Sequence, residues 1–366
     1  MRRVLLAVSL LICSGLHAQG LKNYIVAERR GGTIEIIDPV TLNSVSQLRL
    51  EIPSQSAGLN GVALSSDGTA LYVEGPATDS PGPGLPPGNC CYLFSIDLAT
   101  LHAKKAAGIW GTFSREAFII SNGMVYPVSA PRAGDGMRPR GWHRSYLNPD
   151  GHSTIVVRNF QGLALDEYDL GSGNLVRRLV PEGLDGQWFA TGAQSDDKFY
   201  FYATKTDGSA ARLWTVSADT ARLGPGLPVG TFGQTPGCPG PQIEGIVAAN
   251  GSLFVYEIFG SKIDRRDRCA ARVDGGIWQV DLGTGKLLRH DAPDLHFTKL
   301  IPDQTEPVLY GLAAEGWSTP QAPVQLVRID ARDGRVVQSR LLDVDYWWMA
   351  AGPLRETPSG NVKMTP

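Results

Sequence analysis

Along most of this chain apolar residues alternate with polar ones in short runs, and the runs recur in a fixed order. The stretch 59–110 shows the unit in full: LNGVALSSDGTALYVEG, a Pro/Gly-rich loop, then CYLFSIDLATLHAKKAAGIW. A period of two marks β-strands, and the SDG and post-Asp97 residues mark turns, so the unit predicts a four-stranded meander. Its second half returns as IEIIDPVTLNSVSQLRL (34–50), LALDEYDLGSGNLVRRLV (163–180), LWTVSADTARLGPGLPV (213–229), IWQVDLGTGKLLRHDAP (277–293) and LVRIDARDGRVVQSRLL (326–342). Its first half returns as REAFIISNGMVYPVS (115–129), RSYLNPDGHSTIVVR (144–158), WFATGAQSDDKFYFYAT (188–204), IEGIVAANGSLFVYE (243–257) and FTKLIPDQTEPVLYG (297–311).

Repetition of a meander at this spacing predicts an all-β fold, a β-propeller of four-stranded blades. The first hairpin, 24–50, lacks an inner strand of its own, and the last apolar segment, Tyr346 to Ala351, lacks a following hairpin. Pairing the two closes the ring with the C-terminal strand beside the N-terminal blade and leaves no open sheet edge. Six blades then have good second halves, and 115–129 reads as the first half of a seventh with a degenerate outer half in 130–143. Seven blades is the preferred count, and six with an inserted hairpin is the alternative. The propeller is read as one domain over 19–355, followed by a flexible tail at 356–366.

Each apolar third strand ends at or near an aspartate: Asp38, Asp97, Asp169, Asp281 and Asp330. Such side chains satisfy local backbone N–H groups, so these are read as turn residues and not as paired catalytic carboxylates. The stretches SSDGTALYVEG (65–75), LFSIDLATL (93–101) and IWQVDLGTGK (277–286) resemble the YVTN family of propeller repeats, which occurs in exported bacterial proteins. That resemblance covers most of 24–355 and implies the fold. Propellers of this kind serve in enzymes, in electron-transfer assemblies and as binding platforms, so fold alone does not choose a function.

The N-terminus changes the picture of where the protein works. Arg2 and Arg3 precede the apolar run Val4–Cys13, and Leu16-His17-Ala18 ends in a small residue. This is the pattern of a cleaved signal peptide at 1–18, which predicts a periplasmic or secreted protein without a membrane span in the mature chain. Four cysteines then remain, Cys90, Cys91, Cys238 and Cys269, an even count that suggests disulfides outside the cytosol. Cys238 and Cys269 flank one predicted hairpin and are the expected pair. With 43 Gly, 25 Pro and 19% charged residues, the composition suits many short strands joined by tight turns. A formal charge of −2 gives no basic field for nucleic acid.

Candidate chemistry follows from the propeller geometry. Inner strands line an axial channel, and their first residues ring one mouth of it. Aligned on their turns, the first halves place Asn60, Arg115, His143, Phe189, Ile243 and His296 in one column, and Gly61, Glu116, Arg144, Ala190, Glu244 and Phe297 in the next. The candidate ligand-binding set is therefore Asn60, Arg115, Glu116, His143, Arg144, Glu244 and His296. Carboxylates with imidazoles suit a divalent metal or acid–base work, and the bland alternative is a wet channel mouth whose polar groups pair with one another.

Other stretches point less far. Arg138 to Arg144 and Lys262 to Arg268 read as solvated loops. Trp347 and Trp348 read as strand residues facing the core and a neighbouring blade. Ser65 and Ser66 have no nucleophile-elbow context, and the chain has no P-loop, dinucleotide-binding or haem-attachment motif. No cofactor is indicated. The long Pro/Gly-rich loops 76–89, 233–242 and 314–323 on a rigid scaffold favour a binding or scaffold protein whose ligand, protein or small molecule, the sequence does not name. The alternative is an enzyme or enzyme subunit, resembling lactone-hydrolysing propellers or the heavy subunits of amine dehydrogenases.

Overall fold

The computed structural model describes residues 21–29, 32–51, 61–65, 67–75, 92–108, 118–120, 143–147, 153–159, 163–169, 175–179, 188–195, 198–205, 210–217, 226–229, 242–259, 275–303, 305–315, 324–343 and 346–364. These residues form six β-sheets, four of four strands and two of five. The third sheet contains β9 (His143–Leu147), β10 (Ser153–Asn159), β11 (Leu163–Asp169) and β12 (Leu175–Leu179). In the fourth are β13 (Trp188–Ser195), β14 (Lys198–Lys205), β15 (Ala211–Ser217) and β16 (Leu227–Val229). The fifth has β17 (Gln242–Ala249), β18 (Ser252–Phe259), β19 (Ile277–Asp281) and β20 (Leu287–Asp291), and the sixth β21 (Leu295–Pro302), β22 (Val308–Glu315), β23 (Val324–Asp330) and β24 (Val336–Leu341). In all four the strands lie side by side in chain order, the meander that the repeats predict.

The two five-stranded sheets each carry an addition. The first is β1 (Lys22–Arg29), β2 (Thr33–Ile37) and β3 (Ser44–Glu51), with β25 (Tyr346–Leu354) on the β1 edge and β26 (Gly360–Lys363) on the β3 edge. β25 runs antiparallel to β1, with Ile25 opposite Ala351 and Glu28 opposite Trp348. β26 runs parallel to β3, with Gly360 opposite Leu48 and Lys363 opposite Glu51. The tail expected to be flexible at 356–366 therefore contains a strand, whose Val362 is wholly buried. The second sheet is β4 (Gly61–Leu64), β5 (Ala70–Gly75), β6 (Tyr92–Asp97) and β7 (His102–Gly108), and β8 (Phe118–Ile120) runs parallel to β4 on its free edge. The segment expected to open a seventh blade thus meets the second sheet at its described part, while 121–142 lie outside the described residues.

The edge strands nearest the axis touch one another from sheet to sheet, in the order β13, β17, β21, β25 and β4, with β8 against β9. Sheets arranged around an axis in this way are a β-propeller. Period-two alternation then sends successive side chains into two different interfaces. In β1, Ile25 and Ala27 pack toward the sixth sheet and Val26 toward the second. In β22, Tyr310 and Leu312 face the first sheet, and Leu309 and Ala313 the fifth. In β18, Leu253 and Val255 face the fourth sheet, and Phe254 and Tyr256 the sixth. A strand buried on both faces must be apolar on both, which is why the runs read as nearly continuous.

The recurring aspartates build one type of turn. The Asp38 carboxylate accepts the N–H groups of Val40 and Thr41 at 3.0 and 2.8 Å, Asp97 those of Ala99 and Thr100 at 3.1 and 2.8 Å, and Asp281 those of Gly283 and Thr284 at 3.1 and 2.6 Å. At Asp330 the N–H of Arg332 and its guanidinium do the same. Burial opposes ionisation of Asp38, but the Lys22 ammonium and the two turn N–H groups outweigh it and hold the carboxyl at about 2. The Arg332 side chain and its N–H bring Asp330 to about 2. The turn after Asp169 lies outside the described residues.

Each of these turns closes with the residue four beyond the aspartate donating its N–H to the aspartate carbonyl at 2.8 Å. That residue is left-handed: Leu42 at φ 58°, Leu101 at 57°, Gly285 at 71° and Gly334 at 70°. Leucine tolerates the conformation twice, so backbone strain alone does not select glycine here. Neighbouring sheets do. Leu42 fills space against the sixth sheet, whereas a Cβ on Gly285 would overlap the carbonyl oxygen of Pro228 in β16, and one on Gly334 the Asp291 carboxylate in β20. Gly285→Ala is expected to lose about 1–3 kcal/mol, because left-handed strain adds to a backbone clash that no rotamer relieves. Denaturant unfolding measures it, and a loss below about 0.5 kcal/mol would show that β16 moves aside freely.

Candidate functional site

The candidate residues sit at the starts of the axial strands as far as they are described. His143 and Arg144 are the first two residues of β9, Glu244 is the third of β17, and His296 is the second of β21. Asn60, Arg115 and Glu116 lie outside the described residues, as do Cys90, Cys91, Cys238 and Cys269. The side chains of His143, Arg144 and Glu244 are likewise outside the described features, so the site is built from His296 and its surroundings. β21 contacts both β17 and β25, which sets His296 between the strand that carries Glu244 and the one that carries Trp348.

His296 is partly buried, and burial lowers its pKa. A neutral imidazole is the form that coordinates a cation or takes a proton. The strand start is crowded by Gly275 and Gly276, where the chain enters β19. A Cβ on Gly275 would lie 2.8 Å from His296 Cε1, and Gly276 N–H donates to the Leu295 carbonyl at 2.6 Å. The Gly275 carbonyl lies 2.6 Å from His290 Nε2, and since a carbonyl only accepts, this nitrogen carries the proton. The His290 ring stacks on Trp278 at 3.9 Å between centroids and 6° between planes. Two imidazoles thus flank one glycine pair at the junction of the fifth and sixth sheets.

Further along β21, Lys299 Nζ lies 4.1 Å from the centroid of the Trp348 ring, a cation–π contact between the axial strands of the sixth and first sheets. Trp348 is otherwise packed in the core cluster between the first and second sheets, as its place in the alternation requires. Among the described residues no group of three or more His, Cys, Asp or Glu side chains is placed to hold a metal ion, and no helix is long and apolar enough to cross a membrane.

Two polar networks lie between the first and sixth sheets, and the residue pattern had not marked them. In one, Glu35 accepts Arg29 Nη1 at 2.7 Å, the Tyr346 hydroxyl at 2.6 Å and Gln47 Nε2 at 3.5 Å, while Arg340 donates to the Tyr346 hydroxyl at 3.0 Å. Burial and then the Glu35 carboxylate push the Tyr346 hydroxyl pKa up, so it stays a donor. In the other, Asp303 accepts Asn23 Nδ2 at 2.8 Å, the Tyr310 hydroxyl at 2.9 Å and the N–H groups of Thr305 and Glu306 at 2.8 and 2.9 Å. One network is near the start of β25 and the other just past the end of β21. Both are filled with their own partners and serve as inter-sheet ties. The sequence signal was a carboxylate at an apolar position, as in TIEII of β2.

No family model matches this chain, and no curated protein matches it. Solved structures similar to it include a protein of unknown function from Bacteroides caccae, 14% identical over 91% of this chain and 99% of that one, with a TM-score of 0.45. A putative TolB from Agrobacterium tumefaciens is 12% identical over 88% and 90% of the two chains, TM-score 0.45. The β-propeller domain of Cps50 (Swd1) from Myceliophteria thermophila is 12% identical over 88% and 84%, TM-score 0.44. None of these likenesses bears on activity.

Proposed function

We propose that the protein is an exported propeller that binds a ligand at its axial mouth, with Asn60, Arg115, Glu116, His143, Arg144, Glu244 and His296 as the residues that receive it. The observation that carries this reading is the placement of His143, Arg144, Glu244 and His296 within the first three residues of three axial strands. His296, kept neutral by burial, supplies one ligand-type group there. Export after cleavage at Ala18 and a bridge between Cys238 and Cys269 belong to the same reading. So does closure of the sheets into one ring, supported by the pairing of β25 with β1. For the blade count, the parallel docking of β8 on β4 favours six blades with an insertion over seven.

Carboxylates gathered at one mouth raise each other's proton affinity unless a cation or an arginine intervenes. Arg115 and Arg144 are the nearest candidates in sequence, and a divalent metal is the other counter-charge. The mature protein, its N-terminus and cysteine pairing checked by mass mapping, should show a higher melting midpoint with one of zinc, calcium or manganese, because a cation that binds only the native state stabilises it by mass action. The Glu116→Gln, Glu244→Gln double variant should fold and lose that response. An unchanged response would remove these carboxylates from the site, and no response in the parent protein would leave an arginine-neutralised mouth. The hydrolase and dehydrogenase-subunit readings have no observation of their own in their favour.

A further inference from the structure

The last strand of the chain is held as a bound peptide is held. β26 adds to the outer edge of β3, and Val362 within it and Met364 just past its end are buried apolar anchors, while Asn361 and Lys363 on either side of Val362 are exposed. Both anchors enter the cluster between the first and second sheets, beside Val26, Ile34, Leu48, Leu71 and Phe94 from far upstream and Trp348, Ala350 and Leu354 of β25. Ahead of the anchors, Gly360 has φ 147°, and a Cβ there would lie 2.8 Å from Leu101 Cδ1. Hydrogen bonds hold its two ends. Ser46 Oγ donates to the Pro358 carbonyl at 2.8 Å, and Met364 N–H reaches the Glu51 carbonyl at 3.4 Å.

We propose that the outer cleft between the first and second sheets is a strand-accepting groove for an extended Gly-x-apolar-x-apolar segment, which the chain's own C-terminus fills in cis as an exchangeable strap. The groove recognises by addition of a strand to a sheet edge, with main-chain bonds giving affinity and alternate side-chain pockets giving selectivity. Its partner in trans is the C-terminal segment of a second copy of this chain, the one sequence it fits by construction. Exchange is open to this element because it is a short strand on the outer edge of a sheet, paired on one side to β3 and seated by two apolar anchors, the features of segments that open locally before the rest. In the intact protein the tethered tail has a high effective concentration and excludes a free peptide.

The test uses the full chain and a fluorescent peptide of residues 356–366. Intact protein should bind it at least ten-fold more weakly than a Val362→Asp, Met364→Asp variant, whose own tail no longer seats. The peptide carrying the same two substitutions should bind neither. Failure of the variant, folded by circular dichroism, to bind the peptide would overturn the proposal, as would equal binding by the intact protein. Hydrogen exchange on the unmodified protein decides independently of whether the variant folds. Segment 357–366 should exchange at least ten-fold faster than 22–29, and equal protection of the two would mean that the strap does not open.

Discussion

A chain ended at Asp345 is expected to aggregate instead of folding. It lacks both strands that flank the N-terminal hairpin, so β1 and β3 each present a bare edge, the template on which further chains pair. It also lacks Trp348, Met349, Leu354, Val362 and Met364, all buried in two inter-sheet clusters. At about 1.5–3 kcal/mol for each fully buried apolar side chain, their combined burial is comparable with the 5–15 kcal/mol that holds a typical domain together. The soluble fraction and the elution volume of the truncated protein measure the outcome. A soluble monomer with the parent's circular dichroism would show that the first sheet stands without them.

The second large effect is expected at Glu35. Its carboxylate is buried and accepts from Arg29 and Tyr346 at once. Glu35→Ala leaves a guanidinium and a hydroxyl facing a void, and removing one partner of a buried pair costs about 3–5 kcal/mol. Arg29 is partly exposed and regains water, which places the expected loss near the lower figure, about 3 kcal/mol. Tyr346→Phe removes one neutral donor and should lose only about 1 kcal/mol, since Arg29 still neutralises the carboxylate. Urea unfolding of the two variants gives the comparison. Equal losses would mean that Glu35 is held mainly by the tyrosine and not by the arginine.

What the sequence made legible was whatever is decided within a few neighbouring residues. Short apolar runs such as LYVEG and LFVYE, rich in aromatic and β-branched residues and bounded by turn residues, mark strands, and the aspartate turns are closed by groups two to four residues away. The place of β25 was legible for another reason. A hairpin without an inner strand and a strand without a hairpin fit only each other. β26 was not legible, since GNVKM holds two apolar residues in a polar setting and pairs with a strand at the other end of the chain. Nor could the choice between Leu42 and Gly285 be read, because it depends on how near the neighbouring sheet's outer strand passes. At the candidate site, alignment placed His143, Arg144, Glu244 and His296 at strand starts. Whether such residues meet at one point is set by strand tilt, which no local pattern encodes.

The pairing of β1 with β25 also sets a timetable for synthesis. The N-terminal hairpin leaves the ribosome about 300 residues ahead of its inner strand, and at roughly 5–20 residues per second it waits some 15 to 60 s for a partner. The sheets numbered two to six each draw their paired strands from one continuous stretch of chain, and so can form as they emerge. The first sheet cannot. During that interval the nascent chain has the same bare edges as the protein ended at Asp345. A chaperone that shields strand edges therefore matters most to residues 22–51, although they are made well before the strand that completes their sheet.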